Sequence, residues 1–493
     1  MSEMKEKKVS PEEEPLKENA DENIKNTFWD RVKYIKSNVT VEPILAGLII
    51  PSMLSRLATQ NLNLDKACRV KLDLGDDICN ALIEKKGNGS HYEGDIQRVI
   101  SDIESWRSVI QTAIPTLLVI FMGAWSDRTG NRKLCILLPL FGELCVVLCN
   151  MISTFYFKEI SVEVTMFLES IFPAITGGWV MVYLGVFSYI SDITTEKSRT
   201  FRVGLANLCM TAGVPIGTAL SGILLKVWGY YGIFGISSAI YIINITYAMT
   251  CLKSNSKPGC DGNEKKKPPT FKDVITLVKE TVAVAFKKRD GNIRMKILVT
   301  LAIVTIIYGP NHGERIVTYM YVRYRLNWDA LKYSFYSTYS IITHSLGALF
   351  SISVFSKRLG FHDSMLCLIS VVSKLIGSIY IAFVYTDVQM FLVPIIEILN
   401  ATTFTSLRSL ASKLVPSEES GKMNSLFSLV ETLGALMFDP TYSTIYSRTI
   451  KIFSGTVFIF SALMTLPAIS MLIWIFARHR IETRNKRLDD VEK

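Results

Sequence analysis

The chain has 493 residues, of which 49% are hydrophobic and 11% aromatic, and its mean hydropathy is +0.29. These values exceed those of ordinary soluble domains and predict a protein embedded in the lipid bilayer. The net charge of +10 does not indicate nucleic-acid binding, because the surplus Lys and Arg residues lie beside apolar segments. The nine cysteines show no zinc-type spacing, so we predict neither a metal site nor a cofactor.

The first 40 residues are hydrophilic and of mixed charge, which predicts a disordered cytosolic tail without a signal peptide. Windows of about 20 apolar residues then predict twelve membrane-spanning helices in two sets. The first set, within 41–252, lies near 41–61, 106–126, 134–154, 163–190, 201–225 and 230–252. The second set, within 294–477, lies near 294–321, 331–355, 362–385, 388–412, 420–446 and 451–477. We therefore predict an all-α integral membrane fold of two six-helix bundles with pseudo-two-fold symmetry.

The connections between the predicted helices indicate their orientation. Segment 253–293 is polar and rich in Lys, Pro and Gly, which predicts a cytosolic linker between the bundles. The connections at 126–133, 196–202 and 356–358 are basic. By the positive-inside rule these connections face the cytosol, together with both termini and the carboxy-terminal tail 478–493.

The same topology makes 62–105 the largest extracytosolic loop. This loop contains the sequon Asn88-Gly89-Ser90, so we predict glycosylation at Asn88. It also contains Cys68 and Cys79, for which an oxidising compartment predicts a disulfide.

A short repeat supports the division into halves. Ser126-Asp127-Arg128-Thr129-Gly130, after the second helix, recurs as Ser356-Lys357-Arg358-Leu359-Gly360 after the eighth helix. The longer segment GAWSDRTGNRK at 123–133 resembles the G-x-x-x-D-R-x-G-R-R loop of the major facilitator superfamily. The resemblance implies a conformational latch, formed by Gly123, Asp127, Arg128, Gly130 and Arg132.

Several further motifs, in order along the chain, resemble the proton-coupled folate transporter family, which includes thymic stromal and lysosomal members. They are Val41-Glu42-Pro43, GAWSD at 123–127, Ser198-Arg199-Thr200-Phe201-Arg202, Asn327-Trp328-Asp329 and Leu407-Arg408 with Ser412-Lys413-Leu414-Val415. The resemblance implies secondary transport of a small organic solute by alternating access.

The family's functional residues are only partly present. Arg408 matches the arginine that the resemblance implies near the substrate. Asn207 replaces a glutamate tied to proton coupling, Gly178 an aspartate, and Ile307 a histidine, with His312 five residues further on. An amide cannot carry a titrating proton, so folate specificity and proton coupling both stay open.

Ionisable side chains inside membrane helices cost about 2.5–3.5 kcal/mol each on insertion and therefore indicate functional sites. The predicted substrate-binding residues are Arg408, Arg56, Tyr308 and Arg315. The predicted proton-coupling candidates are Glu314, Glu397, Glu431 and His312. Glu169, His344 and Asp439 lie in helices that would line the cavity in the architecture that the resemblance implies. Glu143 and Lys374 are interpreted as snorkelling side chains or as local pairs with a neighbouring helix.

These patterns together predict a carrier of a small, anionic organic solute. The partners are the solute, the bilayer and, if transport is coupled, protons. The plasma membrane and the lysosomal membrane both remain open, as does the oligomeric state. The chain lacks HExxH, G-x-S-x-G and Walker motifs, which argues against an enzyme. A receptor that kept the transporter fold remains the alternative.

Overall fold

A computed structural model of the protein describes residues 40–83, 85, 90–194, 196–252, 271–287, 289, 292–416 and 419–491. All regular secondary structure in these ranges is helical. The first half contains α1 (Glu42–Lys66), α2 (Asp76–Ile83), α3 (Ser90–Thr129), α4 (Arg132–Phe155), α5 (Val162–Thr176), α6 (Gly178–Ile193) and α7 (Glu196–Cys251). Between the halves lies α8 (Phe271–Phe286). The second half contains α9 (Ile293–Arg325), α10 (Ala330–Phe350), α11 (Asp363–Ala382), α12 (Asp387–Ile396), α13 (Thr402–Lys413), α14 (Ser420–Phe453) and α15 (Thr456–Val491).

These helices form the predicted membrane fold, although some crossings are broken. The helix α7 holds two crossings, because Gly229 adopts φ 62° and ψ −163° within it. The α5–α6 and α12–α13 pairs each make one crossing, and a π-helical segment, Ser351–Arg358, continues α10. Among the described residues, eight helical stretches are long and apolar enough to cross a membrane by length and composition alone. Helix α1, the α12–α13 pair and α14 are not among these stretches, because polar residues or breaks interrupt them.

Local signals explain where several helices begin and end. The Asp329 carboxylate accepts a hydrogen bond from the Lys332 backbone N–H at 2.9 Å and so caps α10. Thr386 and Gln389 form a reciprocal capping box at the start of α12. Gly177 ends α5 with φ +84°, where a Cβ atom would lie 2.4 Å from the Met181 sulfur. A side chain at this position is therefore excluded both by backbone conformation and by contact.

The two halves meet along two helix pairs. Helix α3 packs against α14, and α7 packs against α10. One apolar core lies inside each half, and a third core joins them through residues such as Leu64, Ile96, Val317 and Tyr446. Side chains on the outer surface are apolar and exposed, including Leu117 at 72% and Ile243 at 69%, as expected for a lipid-facing surface.

The halves are joined by a polar clamp at the end of the molecule that carries the Cys68–Cys79 disulfide. Arg323 of α9 lies 2.6 Å from Glu93 of α3, and both side chains are about 5% exposed or less. Lys85 also contacts Glu93, at 3.3 Å. We call Lys85, Glu93 and Arg323 the clamp. Because it joins α3 to α9, it holds this end of the molecule closed.

The clamp is extended by further contacts between the halves. The Tyr446 hydroxyl donates to Gln97 at 2.8 Å, and the Ser447 hydroxyl donates to Asp102 at 2.5 Å. In the loop outside the spans, burial next to the like-charged Arg323 lowers the pKa of Lys85 to about 8, although Glu93 opposes this shift. The segment 62–105, predicted as a loop, is largely helical in the structure, because α1 continues to Lys66, α2 lies within the segment and α3 begins at Ser90.

Candidate functional site

A cavity with two lobes lies between the halves. Lobe A has a volume of about 580 Å³ and is lined by Arg56, Gln60, Glu314, Arg315, Tyr333, His344, Lys374 and Glu397 among others. Lobe B has a volume of about 480 Å³ and is lined by Arg56, Gln60, Asn63, Glu104, Arg107, Glu169, His312 and Asp439 among others. Met53, Arg56 and Gln60 of α1 line both lobes, so α1 is their common wall.

Two predicted substrate-binding arginines lie in lobe A, with no acidic partner within ion-pair distance among the described residues. Arg56 comes from α1 and Arg315 from α9, and both side chains are exposed to the cavity. Within the described part of the chain, neither guanidinium forms an ion pair or a hydrogen bond, and the two repel each other electrostatically. Two like charges facing one cavity favour an anion between them.

Beside these arginines, three helices bring together a buried charge cluster. Lys374 of α11 lies 2.5 Å from Glu314 of α9 and 3.0 Å from Glu397, which follows α12. All three side chains are less than 10% exposed. We call these residues the triad. One lysine between two carboxylates leaves a formal charge of −1, which is costly in a site of low dielectric constant.

The triad depends on a close approach of the backbone. A Cβ atom on Gly377 of α11 would lie 2.1 Å from Cγ of Glu397. Glu397 itself follows the last residue of α12, where the crossing is broken before α13 begins at Thr402. This break turns the glutamate towards Lys374 rather than along a continuous helix face.

Lobe B contains a second group of charged side chains, from the first half of the chain. Arg107 lies 2.7 Å from Glu104 and 3.3 Å from Glu169. Asn63 donates to both carboxylate oxygens of Glu169, at 3.0 and 3.3 Å. Sequence reasoning missed Glu104 and Arg107, because they fall at the edge of the second predicted helix. Their i,i+3 spacing of opposite charges is the signal that could have identified them.

The opposite wall of lobe B comes from the second half. His312 Nδ1 lies 2.8 Å from Asp439 Oδ1. The Tyr308 ring stacks on His312 with ring centres 5.9 Å apart and meets Phe404 edge-on at 5.4 Å. Tyr308 lines neither lobe. It therefore supports His312 and Phe404, which do line the cavity, from behind.

Arg408 and Glu431, both predicted as functional, bind each other. Arg408 Nη2 lies 2.7 Å from Glu431 Oε2, and its guanidinium lies 4.9 Å from the centre of the Phe427 ring. Neither residue lines lobe A or lobe B. The structure thus brings Arg56, Arg315, Glu314 and Glu397 together and places Arg408 and Glu431 outside that group.

Of the three positions that differ from the folate transporter pattern, one lines the cavity and two do not. Gly178 begins α6 and lines lobe B, where it adds space. Asn207 is exposed and Ile307 is buried, and neither lines a lobe. Lys374, interpreted from sequence as a local pair, does pair with neighbouring helices, but it does so inside the cavity wall.

The predicted latch is partly described. Arg132 donates to Ser126 Oγ at 3.1 Å and lies 3.0 Å from Asp192 at the end of α6. Gly130 makes the turn between α3 and α4 with φ +73°, and a Cβ atom on Gly123 would meet Leu184 at 3.4 Å. The side chains of Asp127 and Arg128, and the whole of Asn88, lie outside the described part.

The predicted disulfide pair lies close to the clamp. Cys68 and Cys79 are bonded with their Cα atoms 6.0 Å apart. Arg69, next to Cys68, lies 2.6 Å from both Asp65 and Asp76. The segment containing α2 is thereby fixed against the end of α1.

Comparison with known proteins gives a consistent result. Residues 91–438 match the family described as the Major Facilitator Superfamily. The chain is 24% identical over 447 residues to the lysosomal proton-coupled steroid conjugate and bile acid symporter SLC46A3 of Gallus gallus, covering 88% of this chain and 93% of that protein. It is 25% identical over 355 residues to the proton-coupled folate transporter of Rattus norvegicus, covering 71% and 73%. These relatives confirm the resemblance predicted from sequence.

Solved structures support the fold. The human organic anion transporter MFSD10 (TETRAN) is similar with a TM-score of 0.57 and 14% identity, covering 88% of this chain and 98% of that one. At this identity the likeness shows the fold alone.

Proposed function

Since the chain belongs to the major facilitator superfamily, we propose that it is a secondary active transporter of a small organic anion. It works by alternating access, in which the two halves rock about the cavity between them. The observation that carries the proposal is the pair of arginines in lobe A, Arg56 and Arg315, which have no ion-pair or hydrogen-bond partner among the described residues. They come from different halves, so a bound anion would bridge the surfaces that move relative to each other.

Proton coupling follows from the triad. With both carboxylates ionised, the triad carries one uncompensated negative charge, and one proton would make it neutral. Glu314 precedes Arg315 directly on α9, so an anion at Arg315 and a proton at the triad would influence each other. Two of the relatives are described as proton-coupled, which supports this mechanism.

The orientation in the membrane is part of the proposal. The basic connections predict that both termini face the cytosol, which places the clamp and the disulfide on the extracytosolic side. In this orientation the structure is closed towards the outside or the lysosomal lumen. Localisation of the tagged protein in cells distinguishes the plasma membrane from the lysosomal membrane.

The test is uptake of radiolabelled folate, taurocholate and related organic anions into liposomes containing the purified protein. We expect uptake to be stimulated by an inward proton gradient and to be lost in Arg56→Ala and Arg315→Ala. The exposed Arg480 provides the matched control, since Arg480→Ala should transport normally. Glu397→Gln should transport the anion without stimulation by a proton gradient. The exposed control Glu280→Gln should retain this stimulation.

Two outcomes would contradict the proposal. Saturable binding of an anion without accumulation would indicate a receptor with the transporter fold. Normal uptake in both arginine variants, with loss only in Arg408→Ala, would move the anion site from lobe A to α13.

A further inference from the structure

The two lobes carry opposite charge. In lobe A, Arg56, Arg315 and Lys374 outnumber Glu314 and Glu397, giving a formal charge of +1. In lobe B, four carboxylates face two arginines, one of which is the shared Arg56. With His312 neutral and all four carboxylates ionised, the formal charge of lobe B is −2. The carboxylates are Glu104, Glu143, Glu169 and Asp439.

Two buried groups of lobe B have no hydrogen-bond partner among the described residues, the Oδ1 acceptor of Asn63 and the Nε donor of Arg107. The Asn63 amide gives its N–H groups to Glu169, and its own Oδ1 atom has no donor among the described residues. Asn63 is 2% exposed. A buried acceptor without a donor costs about 1–3 kcal/mol, so a donor bound at Asn63 would be stabilised.

The ion pairs within lobe B do not remove this imbalance. Arg107 is shared between Glu104 and Glu169, so one carboxylate charge remains uncompensated. Asp439 pairs with a histidine that carries a charge only when protonated. A protonated amine has three N–H donors, one positive charge and no acceptor, which matches the negative charge of lobe B and the unpaired Oδ1 acceptor of Asn63.

We propose that lobe B is a second subsite for the transported solute and binds a protonated amine. The solute is then zwitterionic, with its anionic group at Arg56 and Arg315 and its ammonium group near Glu104 and Glu169. This inference rests on the proposed function, because it names the class of solute that the same cavity carries. Arg56, which lines both lobes, lies between the two charged ends of such a molecule.

The experiment uses two probes that share an anionic end and differ in one charge. Alanyl-glutamate has a free ammonium group, whereas N-acetyl-alanyl-glutamate has none. Each is tested in liposomes containing the full chain, as an inhibitor of uptake of a transported organic anion and as labelled substrate. We expect the free amine to bind about tenfold more tightly, which corresponds to about 1.4 kcal/mol.

The preference should depend on the carboxylates of lobe B. Glu104→Gln and Glu169→Gln each keep the size of the side chain. In each variant, the ratio of the affinities for the free amine and the acetylated probe should fall towards one. The exposed control Glu280→Gln should retain the preference. Because Glu169 is deeply buried, thermal unfolding of each purified variant, with and without the probe, separates loss of folding from loss of amine recognition.

Several results would overturn the inference while leaving the proposed function intact. One is equal or tighter binding of the acetylated probe to the wild type, and another is transport of organic anions with no binding of either probe. A third is loss of proton stimulation in Glu169→Gln with the amine preference unchanged, which would make lobe B a proton site. If no organic anion is transported at all, the proposed function fails and the inference with it.

Discussion

From the contacts of the clamp we estimate how much it stabilises the closed state relative to the open state. Arg323→Met removes the guanidinium but keeps an unbranched, apolar side chain. Among the described residues, the buried Glu93 carboxylate then retains Lys85 and Gln97 as partners. Breaking a buried ion pair costs about 3–5 kcal/mol. Because two partners remain, we take the lower end of this range. A shift of about 3 kcal/mol changes the ratio of closed to open states roughly 150-fold.

Distances between spin labels measure this change. Asp95→Cys on α3 and Lys451→Cys on α14 place labels on opposite halves, at a surface ion pair whose own contribution is about 1 kcal/mol or less. The seven cysteines other than Cys68 and Cys79 are first replaced. We expect a short distance in the parent protein and a longer, broader distribution in Arg323→Met.

Arg325→Met is the matched control, because Arg325 lies on the same helix but contacts Val384 and Tyr385 of its own half. It should leave the distribution unchanged. If Arg323→Met also leaves it unchanged while the protein remains folded, the clamp does not determine closure and the apolar core shared by the halves does.

Three further predictions concern the triad, the clamp and the disulfide. Gly377→Ala should displace Glu397 and destabilise the protein by about 1–3 kcal/mol, measured by thermal unfolding, with loss of proton-stimulated uptake. Since the pKa of Lys85 is lowered to about 8, the closed form favours neutral Lys85. Closure should therefore strengthen as pH rises from about 8 towards 10, the ordinary range of lysine, and Lys85→Met should abolish this dependence. Replacing Cys68 and Cys79 by Ser should lower stability by about 2–3 kcal/mol, because the bond closes a short loop.

Each of these has a result that would contradict it. Gly377→Ala with normal stability and coupling would show that Glu397 does not need its present position. A label distance independent of pH above 8 would mean that Lys85 titrates without affecting closure. If the serine variant unfolds at the same temperature as the oxidised wild type, the disulfide has no stabilising role.

The sequence by itself determined the membrane fold and its division into halves, since long apolar helices and basic connections are local patterns that a bilayer imposes. It also identified Arg56, Arg315, Glu314 and Glu397 as costly charges inside membrane helices. Their hydropathy and spacing could not show which charges meet, because partners such as Lys374 and Glu314 lie 60 residues apart. Only the tertiary structure paired Arg408 with Glu431 and left Arg56 and Arg315 without partners among the residues that it describes. That distinction depends on helix rotation and on breaks such as the one after α12, which arise from packing between helices rather than from any single segment.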